Sequence, residues 1–482
     1  MIRRLTVMVL VLGAIAGVIG VARTNKPVPQ PVFTQLASPT TPYLPTRDLI
    51  TATYYCPGLP AASSTTGGEV VITNPTDVPV TGQIEPYTAA TTLGAEIPPQ
   101  SVTIGARSQQ EFALDTLAPS GYVGVTVEIA HNGVAVEQRT HGATGTSIAP
   151  CTPDASQNWY FADGVTGDGA TYDLVLTNPF PDEAVLDMTI NAGSVVRQPP
   201  AYQGYVIPPK SVAVISIDAT ARNEPQLSIV LHSRRGRFVA AKMQSFSTKT
   251  RGGFSLSLGA PSAAIDWYFA DGEKNTGVTE TYSILNPTDT DVDVDISLTD
   301  STGVLPAVRT TVPTGQTIVV DVAAQFVDGS GTSTVANGAH SVTISVATLG
   351  ATAGVVVERA LTRTVSNTVY TTTVIGSQFS SETWWAPQGV PVATQSALIV
   401  TNTSGQAGTF SVNAVGPGGA NPITGLENVP LAAGATVPVD LTAAGAVNVP
   451  IVIKSTTLPL VVEQRYPRGA KAGRTGALAI PQ

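Results

Sequence analysis

Four copies of one sequence pattern follow one another from about residue 54 to the last residue, with a period of about 107 residues. Each copy opens with an aromatic pair, and an Asn-containing turn follows 18 or 19 residues later, at Asn74, Asn178, Asn286 and Asn402. The opening motifs are Tyr54-Tyr55-Cys56-Pro57-Gly58, Trp159-Tyr160-Phe161-Ala162-Asp163-Gly164, Trp267-Tyr268-Phe269-Ala270-Asp271-Gly272 and Trp384-Trp385-Ala386-Pro387-Gln388-Gly389. Propeller blades and solenoid turns repeat every 20–50 residues or so, so each copy here is expected to be a whole small domain.

A Pro-led turn follows in each copy, and three copies have a late apolar strand that ends in charge, whereas repeat 2 has Lys242-Met243-Gln244 there. The turns are Ile97-Pro98-Pro99-Gln100-Ser101, Ile207-Pro208-Pro209-Lys210-Ser211, Val312-Pro313-Thr314-Gly315 and Val429-Pro430-Leu431. The late strands end in Val136-Glu137-Gln138-Arg139, Lys242-Met243-Gln244, Val357-Glu358-Arg359 and Val462-Glu463-Gln464-Arg465. We therefore divide the chain into repeats 1 to 4, at residues 47–150, 151–261, 262–376 and 377–482.

Apolar and polar residues alternate within the repeats, as in Val292, Val294 and Ile296, which are separated by acidic residues. A period of two is the mark of half-buried strands. The 45 Gly and 37 Pro residues, with few charges, suit many short strands joined by turns. Turn signals every 8–15 residues or so predict about seven strands per repeat. The predicted fold class is all-β, with four tandem immunoglobulin-like β-sandwich domains.

The N-terminus predicts an extracytoplasmic location. Arg3 and Arg4 precede 18 uncharged residues, Leu5 to Ala22, a length between the core of a cleaved signal peptide and that of a membrane-spanning helix. Residues 1–23 are therefore read as a signal anchor that holds the chain in the cytoplasmic membrane through residues 5–22. A cleaved signal, which would make the protein secreted, is the alternative. Six prolines in residues 24–46 predict an extended linker.

The repeat pattern resembles a repeated domain of unknown function. The order Trp-Tyr-Phe-Ala-Asp-Gly, Asn-Pro, Pro-Pro-x-Ser and Val-x-Glu-Arg, together with the anchor, is similar to that of membrane-anchored or secreted envelope proteins of actinobacteria. The resemblance covers about residues 50–482 and is sharpest in repeats 2 and 3. It implies an array of extracytoplasmic sandwiches and no particular activity.

Cysteine content and charge limit the chemistry. Cys56 and Cys151 flank repeat 1, and we predict that they form a disulfide in an oxidising compartment, with two free thiols as the alternative. The net charge of −9 disfavours nucleic acid as a partner. The four His residues, His131, His141, His232 and His340, are scattered, and no nucleophile elbow or phosphate loop is present. No cofactor, metal or catalytic residue is predicted, and the chain is read as a non-enzyme.

Two charged clusters are candidate binding features. Arg234, Arg235, Arg237 and Lys242 surround one hairpin tip and are a candidate patch for an anionic partner, the alternative being a solvated turn. Four acidic residues alternate along one strand and are a candidate weak calcium face, although Val294 replaces the Gly that an EF-hand loop requires. A solvated acidic face is the alternative. The four are Asp289, Asp291, Asp293 and Asp295.

The opening aromatics are interpreted as structural core, and an exposed platform for stacking sugars is the alternative. These residues are Trp159, Phe161, Trp267, Phe269 and Trp384. The leading functional hypothesis is a non-enzymatic scaffold or interaction protein of the cell envelope, with an envelope glycan or a membrane protein as its partner. A glycan-binding accessory to envelope polysaccharide synthesis or export is the second hypothesis, which exposed Trp clusters would favour. A wall-active hydrolase is the third, which a pocket joining His or paired carboxylates would favour.

Overall fold

The computed structural model describes residues 40–44, 51–61, 66–89, 97–142, 145–193, 195–348, 354–387, 397–416, 418–441, 449–468 and 473–482. All of them belong to one compact unit, Pro39–Gln482. The predicted anchor at residues 1–23 and the predicted linker apart from residues 40–44 lie outside the described residues. No helix in the described part of the chain has the length and apolar character needed to cross a membrane.

Strands dominate the described residues, which confirms the all-β prediction. Repeat 1 contains β1 (Ala52–Pro60), β2 (Thr66–Asn74), β3 (Val80–Ala89), β4 (Gln100–Ile104), β5 (Ser108–Ala113), the short helix α1 (Leu114–Leu117), β6 (Tyr122–Ile129), β7 (Ala135–Gly142) and β8 (Gly145–Pro150). Repeat 2 contains β9 (Asn158–Phe161), β10 (Ala170–Asn178), β11 (Ala184–Ala192), β12 (Val195–Arg197), a 3₁₀ turn (Pro200–Tyr202), β13 (Gln203–Ile207), β14 (Ser211–Ser216), β15 (Ser228–Arg235), β16 (Val239–Ser247) and β17 (Gly252–Leu258).

The second half of the chain repeats this order. Repeat 3 contains β18 (Asp266–Lys274), β19 (Val278–Leu285), β20 (Val292–Asp300), β21 (Gly303–Val304), β22 (Val308–Val312), β23 (Thr317–Asp321), the short helix α2 (Val322–Gln325), β24 (Gly338–Val346), β25 (Val356–Val365) and β26 (Thr368–Ile375). Repeat 4 contains β27 (Thr383–Ala386), β28 (Ala397–Asn402), β29 (Gly408–Gly416), β30 (Gly419–Pro422), β31 (Val429–Leu431), β32 (Thr436–Asp440), β33 (Ile451–Ser455), β34 (Leu460–Arg468), β35 (Gly473–Leu478) and β36 (Ile480–Pro481).

The same two antiparallel sheets form in every repeat. In repeat 1 the orders are β1-β6-β3-β4 and β5-β2-β7-β8, and repeat 3 has the equivalent orders β18-β24-β20 and β23-β19-β25-β26. Side chains from both sheets meet in one core, for example Tyr54 and Val127 from one sheet and Ile72 and Val136 from the other. The apolar residues of the alternating pattern are therefore the buried ones, because every second residue of these strands faces the opposite sheet.

The strand order differs from that of an immunoglobulin constant domain, in which the seventh strand lies beside the sixth. Here the seventh strand of repeat 1, β7, pairs with β2, and the sixth, β6, pairs with β1 and β3. An eighth strand, β8, extends the hairpin that β7 begins. The prediction of about seven strands omitted this last strand, which has counterparts in β17, β26 and β35.

In each repeat the side chain of the turn Asn forms hydrogen bonds both within its own turn and to a second turn about 30 residues later. The Asn178 side chain donates to the carbonyls of Asp182 and Pro208, and its oxygen accepts from the backbone N–H of Phe180. Asn74 makes the equivalent bonds in repeat 1, but its distant acceptor is Gly105. The counterpart of the Pro208 turn in repeat 1 is therefore Ile104–Ser108, and the sequence-based assignment of residues 97–101 was wrong. The shared requirement is a positive φ, found at Arg107, Lys210, Gly315 and Gly434, and Pro cannot supply it.

The four repeats close into a cycle. The last strands contact one another in the order β8–β17–β26–β35, and β35 returns to β8. Their residues line one cavity of about 20 Å³, with apolar side chains such as Ile148, Leu256, Val374 and Leu478. A water molecule needs about 10–15 Å³ measured in this way, so the meeting point of the four repeats has room for about one water molecule and for no larger ligand.

The described end of the predicted linker is part of the cycle. Leu44 is buried in an apolar cluster that contains Ala135 of repeat 1 and Trp385 of repeat 4. Its backbone N–H donates to the carbonyl of Pro481 at 2.8 Å, and the N–H of Thr41 donates to the Gln378 side chain at 2.9 Å. Residues 40–44 thus bind where repeat 4 meets repeat 1.

Candidate functional site

The contact surfaces between successive repeats hold most of the buried charge and form the candidate functional site. We call them seam 1–2, seam 2–3, seam 3–4 and seam 4–1, after the repeats that each one joins. Each seam is built from the opening motif of one repeat and the second and seventh strands of the next. In repeats 2 and 3 the opening motif contains Asp163 and Asp271, whose side chains are buried.

The opening aromatic fixes the position of this motif within its own repeat. The indole N–H groups of Trp159, Trp267 and Trp384 donate to the carbonyls of Phe238, Val355 and Leu460 at 2.9, 2.7 and 2.7 Å. The Tyr54 hydroxyl donates to the carbonyl of Val134, the equivalent position in repeat 1. All four aromatics are almost fully buried, as are Phe161 and Phe269. The fourth Trp, Trp385, is 8% exposed, so none of the Trp side chains offers a stacking platform.

Seam 2–3 contains a network of five polar side chains, of which four are buried and the fifth, Arg251, is 14% exposed. The Lys242 ammonium donates to Glu358 Oε2 of repeat 3 at 2.6 Å and to the carbonyl of Asp163 at 2.5 Å. The backbone N–H of Asp163 donates to the same Glu358 oxygen at 2.7 Å. Arg251 binds the Asp163 carboxylate with two hydrogen bonds of 2.7 and 2.9 Å, and Ser283 of repeat 3 donates to it at 3.1 Å.

Electrostatics differ between the two acids of this network. Burial alone would raise the pKa of Asp163, but the Arg251 guanidinium outweighs it and holds the pKa at about 2. Burial raises the pKa of the Glu358 carboxyl, and the nearby Lys242 only partly offsets that effect. Asp163 is therefore a firmly ionised carboxylate, whereas the protonated form of Glu358 is favoured more than in water.

Seam 3–4 repeats this arrangement with different cations. Arg359, the counterpart of Lys242, donates to both oxygens of Glu463 at 3.1 and 2.6 Å. The backbone N–H groups of Ala270 and Asp271 donate to Glu463 Oε1 at 2.8 and 3.1 Å. The Asp271 carboxylate pairs with Arg465 of repeat 4. Burial alone would raise the pKa of Asp271, but Arg465 outweighs burial and lowers it to about 2.

The other two seams use different contacts. In seam 1–2, Lys210 pairs with Glu85 at 2.8 Å near the surface, and β14 runs parallel to β3 for two residues. Thr177 donates to the carbonyl of Pro57 there, and Thr73 makes the equivalent bond to Pro387 in seam 4–1. The position of Glu358 is taken by Ala241 in repeat 2, and the position of Lys242 by Gln138 in repeat 1.

The predicted disulfide Cys56–Cys151 is present. The two positions that it joins are occupied by different but mutually fitting residue pairs in the other repeats. In repeat 2 the same slot holds Phe161 against Gly259, where an added Cβ would lie 2.8 Å from the ring. Repeat 3 has Phe269 against Gly376, again with no room for a Cβ. A large ring over a glycine and a pair of cysteines are thus two ways to join the opening strand to the segment that leaves the repeat.

The structure separates the members of the predicted anionic-partner patch. Arg234, Arg235 and Arg237 are exposed, whereas Lys242 is fully buried in seam 2–3. Arg234 pairs with Asp187 at 2.6 Å and Arg235 with Glu183 at 3.3 Å. Arg237 lies over the Phe180 ring. Lys242 therefore does not belong to the patch, because the strand that follows the tip carries it into the seam within five residues.

Three of the four predicted calcium ligands are bound by protein groups, and the four do not converge on one point. Asp295 pairs with Arg309 at 2.8 Å, Asp293 accepts from the Thr311 hydroxyl at 2.6 Å, and Asp291 accepts from the backbone N–H of Thr314 at 2.8 Å. Asp289 is exposed. Among the described residues, no group of three or more His, Cys, Asp or Glu side chains is placed to hold a metal ion.

Repeat 3 also has a pocket of about 80 Å³ that the sequence did not indicate. Within its lining, His340 lies 2.8 Å from Glu280, which also accepts from the Tyr282 hydroxyl at 2.5 Å. Glu273 and Asp321 are part of the lining. Burial alone would raise the pKa of Glu280, but His340 and Arg359 outweigh it and the pKa lies below its usual range.

The comparisons with known proteins are few. The sequence family described as "Family of unknown function (DUF5719)" matches residues 131–263, which span repeat 2 and the last hairpin of repeat 1. No curated protein matches the chain. A crystal structure of Thermotoga maritima 1070 matches 23% of this chain and 97% of its own, at 17% identity and a TM-score of 0.20. The tetra-tandem repeat in the extending region of a large adhesion protein matches 84% of this chain and 93% of its own, at 14% identity and a TM-score of 0.11. Both scores are too low to carry an argument about function.

Proposed function

We propose that this protein is a non-enzymatic scaffold or interaction protein of the cell envelope. It is held in the cytoplasmic membrane through residues 5–22, with its four β-sandwich repeats on the extracytoplasmic side. The observation that carries the proposal is the closed cycle of seams. Four domains that only spaced a distant module from the membrane would not need a cycle, because a linear array with exposed linkers would serve.

Two further observations support this role. The buried disulfide fits an oxidising compartment outside the cytoplasm. The buried ion pairs of seams 2–3 and 3–4 fix the order in which the repeats meet, since a repeat that shifted along its neighbour would leave a charge buried without its partner. A body of fixed geometry suits the positioning of other envelope components.

The test is capture of partners by the full-length chain in its own membrane. We expect chemical cross-linking, followed by purification of the intact protein, to recover an envelope glycan or a membrane protein. Charge reversal at Arg234, Arg235 and Arg237 serves as the surface variant, and Lys249→Glu, another exposed cation, serves as its control. Purification of the chain without any envelope component, in both forms, would contradict the scaffold.

The pocket on repeat 3 favours a second candidate, the wall-active hydrolase, because it brings His340 together with several carboxylates. Against this, Glu280 is already bound by His340, Tyr282 and the backbone N–H of Glu273, and its lowered pKa suits a structural anion better than a general acid. Release of soluble fragments from purified wall by the wild type, abolished in Glu280→Gln, would establish this candidate. Equal release by both proteins, or none, would exclude this pocket as its site.

A further inference from the structure

Seam 2–3 brings a primary amine and a carboxyl group together in a site that solvent does not reach. The side chains of Lys242 and Glu358 are both 0% exposed, and their Nζ and Oε2 atoms are 2.6 Å apart. The Lys242 Nζ atom also donates to the carbonyl of Asp163, which holds it on the Glu358 side of the strand. Lys210 and Glu85 in seam 1–2 have a similar separation of 2.8 Å, but their side chains are 31% and 20% exposed.

The surroundings of Glu358 favour its neutral form. Oε2 accepts from Lys242 and from the backbone N–H of Asp163, whereas the buried Oε1 has no hydrogen-bond partner among the described residues. The ionised Asp163 carboxylate is close enough to raise the pKa of Glu358 further, after burial. In such a site a proton that moves from the ammonium to the carboxylate removes two buried charges and leaves a nucleophilic amine beside a carboxylic acid.

We propose that Lys242 and Glu358 condense into an amide bond, which joins repeats 2 and 3 covalently across seam 2–3. Lys242 Nζ first gives one proton to Glu358 Oε2, and its freed lone pair then attacks Cδ. The new bond is Nζ–Cδ, and the π electrons of the Cδ–Oε1 bond move onto Oε1. Oε2 takes a second proton from Nζ and leaves as water, and Oε1 becomes the amide oxygen. One amine and one acid yield one amide and one water, with no oxidant, metal or second substrate.

Seam 3–4 is a built-in control for this chemistry. Arg359 and Glu463 occupy the equivalent positions, are equally buried, and lie 2.6 Å apart. An arginine guanidinium stays protonated in proteins and has no free lone pair with which to attack a carboxyl carbon. The pair in seam 3–4 therefore remains ionic, while the same slot in seam 2–3 carries the residue that can react.

The decisive measurement is a tryptic peptide map of the full-length protein after reduction and denaturation. We expect residues 238–249 to remain uncut after Lys242 and to be joined to residues 310–359, with a combined mass about 18 Da, one water, below the sum of the two peptides. Recovery of the two peptides separately, with cleavage after Lys242, overturns the proposal. This outcome does not depend on any variant folding.

A matched variant assigns the bond to its residues. Lys242→Arg reproduces the ion pair of seam 3–4, so we expect the repeats to keep their fold and the joined peptide to disappear. A joined peptide that persists in Lys242→Arg would overturn the assignment to Lys242. In the same map, the peptides that contain Lys210 and Glu85 are expected to be unjoined. A link between them would show that short distance alone is sufficient, and would overturn the argument from burial.

Discussion

Seam 3–4 and seam 1–2 join neighbouring repeats of the same fold, but seam 3–4 does so through buried ion pairs and seam 1–2 through a partly exposed one. In seam 3–4, Arg359 and Glu463 form a fully buried ion pair, and Arg465 adds a second pair with Asp271. In the described part of seam 1–2 an ion pair lies near the surface, and Gln138 and Ala241 stand where the buried pair would be. Gln138 accepts from the backbone N–H of Gly58 within its own repeat, so the amide takes over part of the role of the missing acid.

The two seams show that the net stability of a contact and its selectivity for the correct neighbouring repeat have different physical origins. Removing two charges from water costs several kcal/mol per ion, so a buried pair adds little net stability but makes any mismatched arrangement expensive. The described residues of seam 1–2 include no such buried ion pair, and repeat 1 is instead joined covalently to its exit segment by Cys56–Cys151. We infer that seams 2–3 and 3–4 define the order of the repeats, whereas seam 1–2 relies on packing and the disulfide.

The largest effect is expected from Glu463→Ala in seam 3–4. The substitution leaves the Arg359 charge buried without its carboxylate and removes the acceptor of the Ala270 and Asp271 N–H groups. We expect a loss of about 3–5 kcal/mol in the free energy of unfolding. Differential scanning calorimetry measures this, with Glu382→Ala, an exposed acid of the same repeat, as a control expected to stay within about 0.5 kcal/mol. A loss below about 1 kcal/mol for Glu463→Ala would show that water reaches the seam.

A smaller effect is expected when the disulfide is removed in the double variant Cys56→Ala and Cys151→Ala. The bridge closes a loop with a sequence separation of 95 residues, and loss of such a bridge costs about 2–4 kcal/mol. Repeat 4 carries Ala386 and Ala479 in the same slot, so the fold should persist. Limited proteolysis should detect earlier opening of repeat 1 and unchanged protection of seam 3–4. Equal loss of protection in both regions would mean that the cycle opens as one unit.

Much of the fold could be predicted from local patterns. Alternation identified strands such as β20, and the positions of Cys56 and Cys151 at the two ends of repeat 1 identified the bridge, because these signals can be recognised from short stretches of sequence. The Pro-led turn of repeat 1 was misplaced by seven residues because proline was taken as the marker, whereas the turn requires the positive φ of Arg107. The closure of the cycle left no local signal, since contacts such as Leu44 with Pro481 join opposite ends of the chain.

The seams could have been recognised in the sequence by comparing each repeat with the one that follows it. The motif Asp occurs in repeats 2 and 3, and the Glu that contacts that motif occurs one repeat later, as Glu358 and Glu463. Repeat 1 lacks the Asp, and repeat 2 lacks the Glu, having Ala241. The pattern is visible only when each repeat is compared with the next one instead of with its own equivalents. Lys242 was assigned to the arginine tip because the two are close in sequence.

Acid should weaken seam 3–4 more than seam 2–3. The folded pKa of Asp163 and of Asp271 is about 2, against roughly 3.9 in an unfolded chain. Each carboxylate therefore contributes about 2–3 kcal/mol that is complete above about pH 4 and is lost as the pH falls towards 2. As long as Glu358 is a free acid it acts in the opposite sense, because its raised folded pKa favours protonation in the folded state and so offsets part of the loss in seam 2–3. Once it is joined to Lys242 it no longer titrates.

Urea unfolding between pH 7 and pH 3 measures this difference. In protein whose tryptic map shows Lys242 and Glu358 unjoined, Asp271→Asn should reduce the loss of stability in acid more than Asp163→Asn does, since no acid with a raised pKa compensates at Asp271. Equal slopes in both variants would contradict the asymmetry. Stability that rises as the pH falls below 4 would contradict the sign of both shifts.

The smallest effect is expected from Lys210→Ala in seam 1–2. Lys210 contacts Glu85 at 2.8 Å and lies over the Tyr87 ring, but both partners of the ion pair are partly exposed to solvent and salt. Half-exposed pairs of this kind contribute about 0–1 kcal/mol, and the contribution falls with ionic strength. We expect a slightly lower melting temperature at low salt and none of this difference at high salt, with exposed Lys249→Ala as the matched control. A loss of stability that is independent of salt and as large as that of Glu463→Ala would show that seam 1–2 excludes water as well as seam 3–4 does. The two seams would then differ in the residues that form them and not in how deeply those residues are buried.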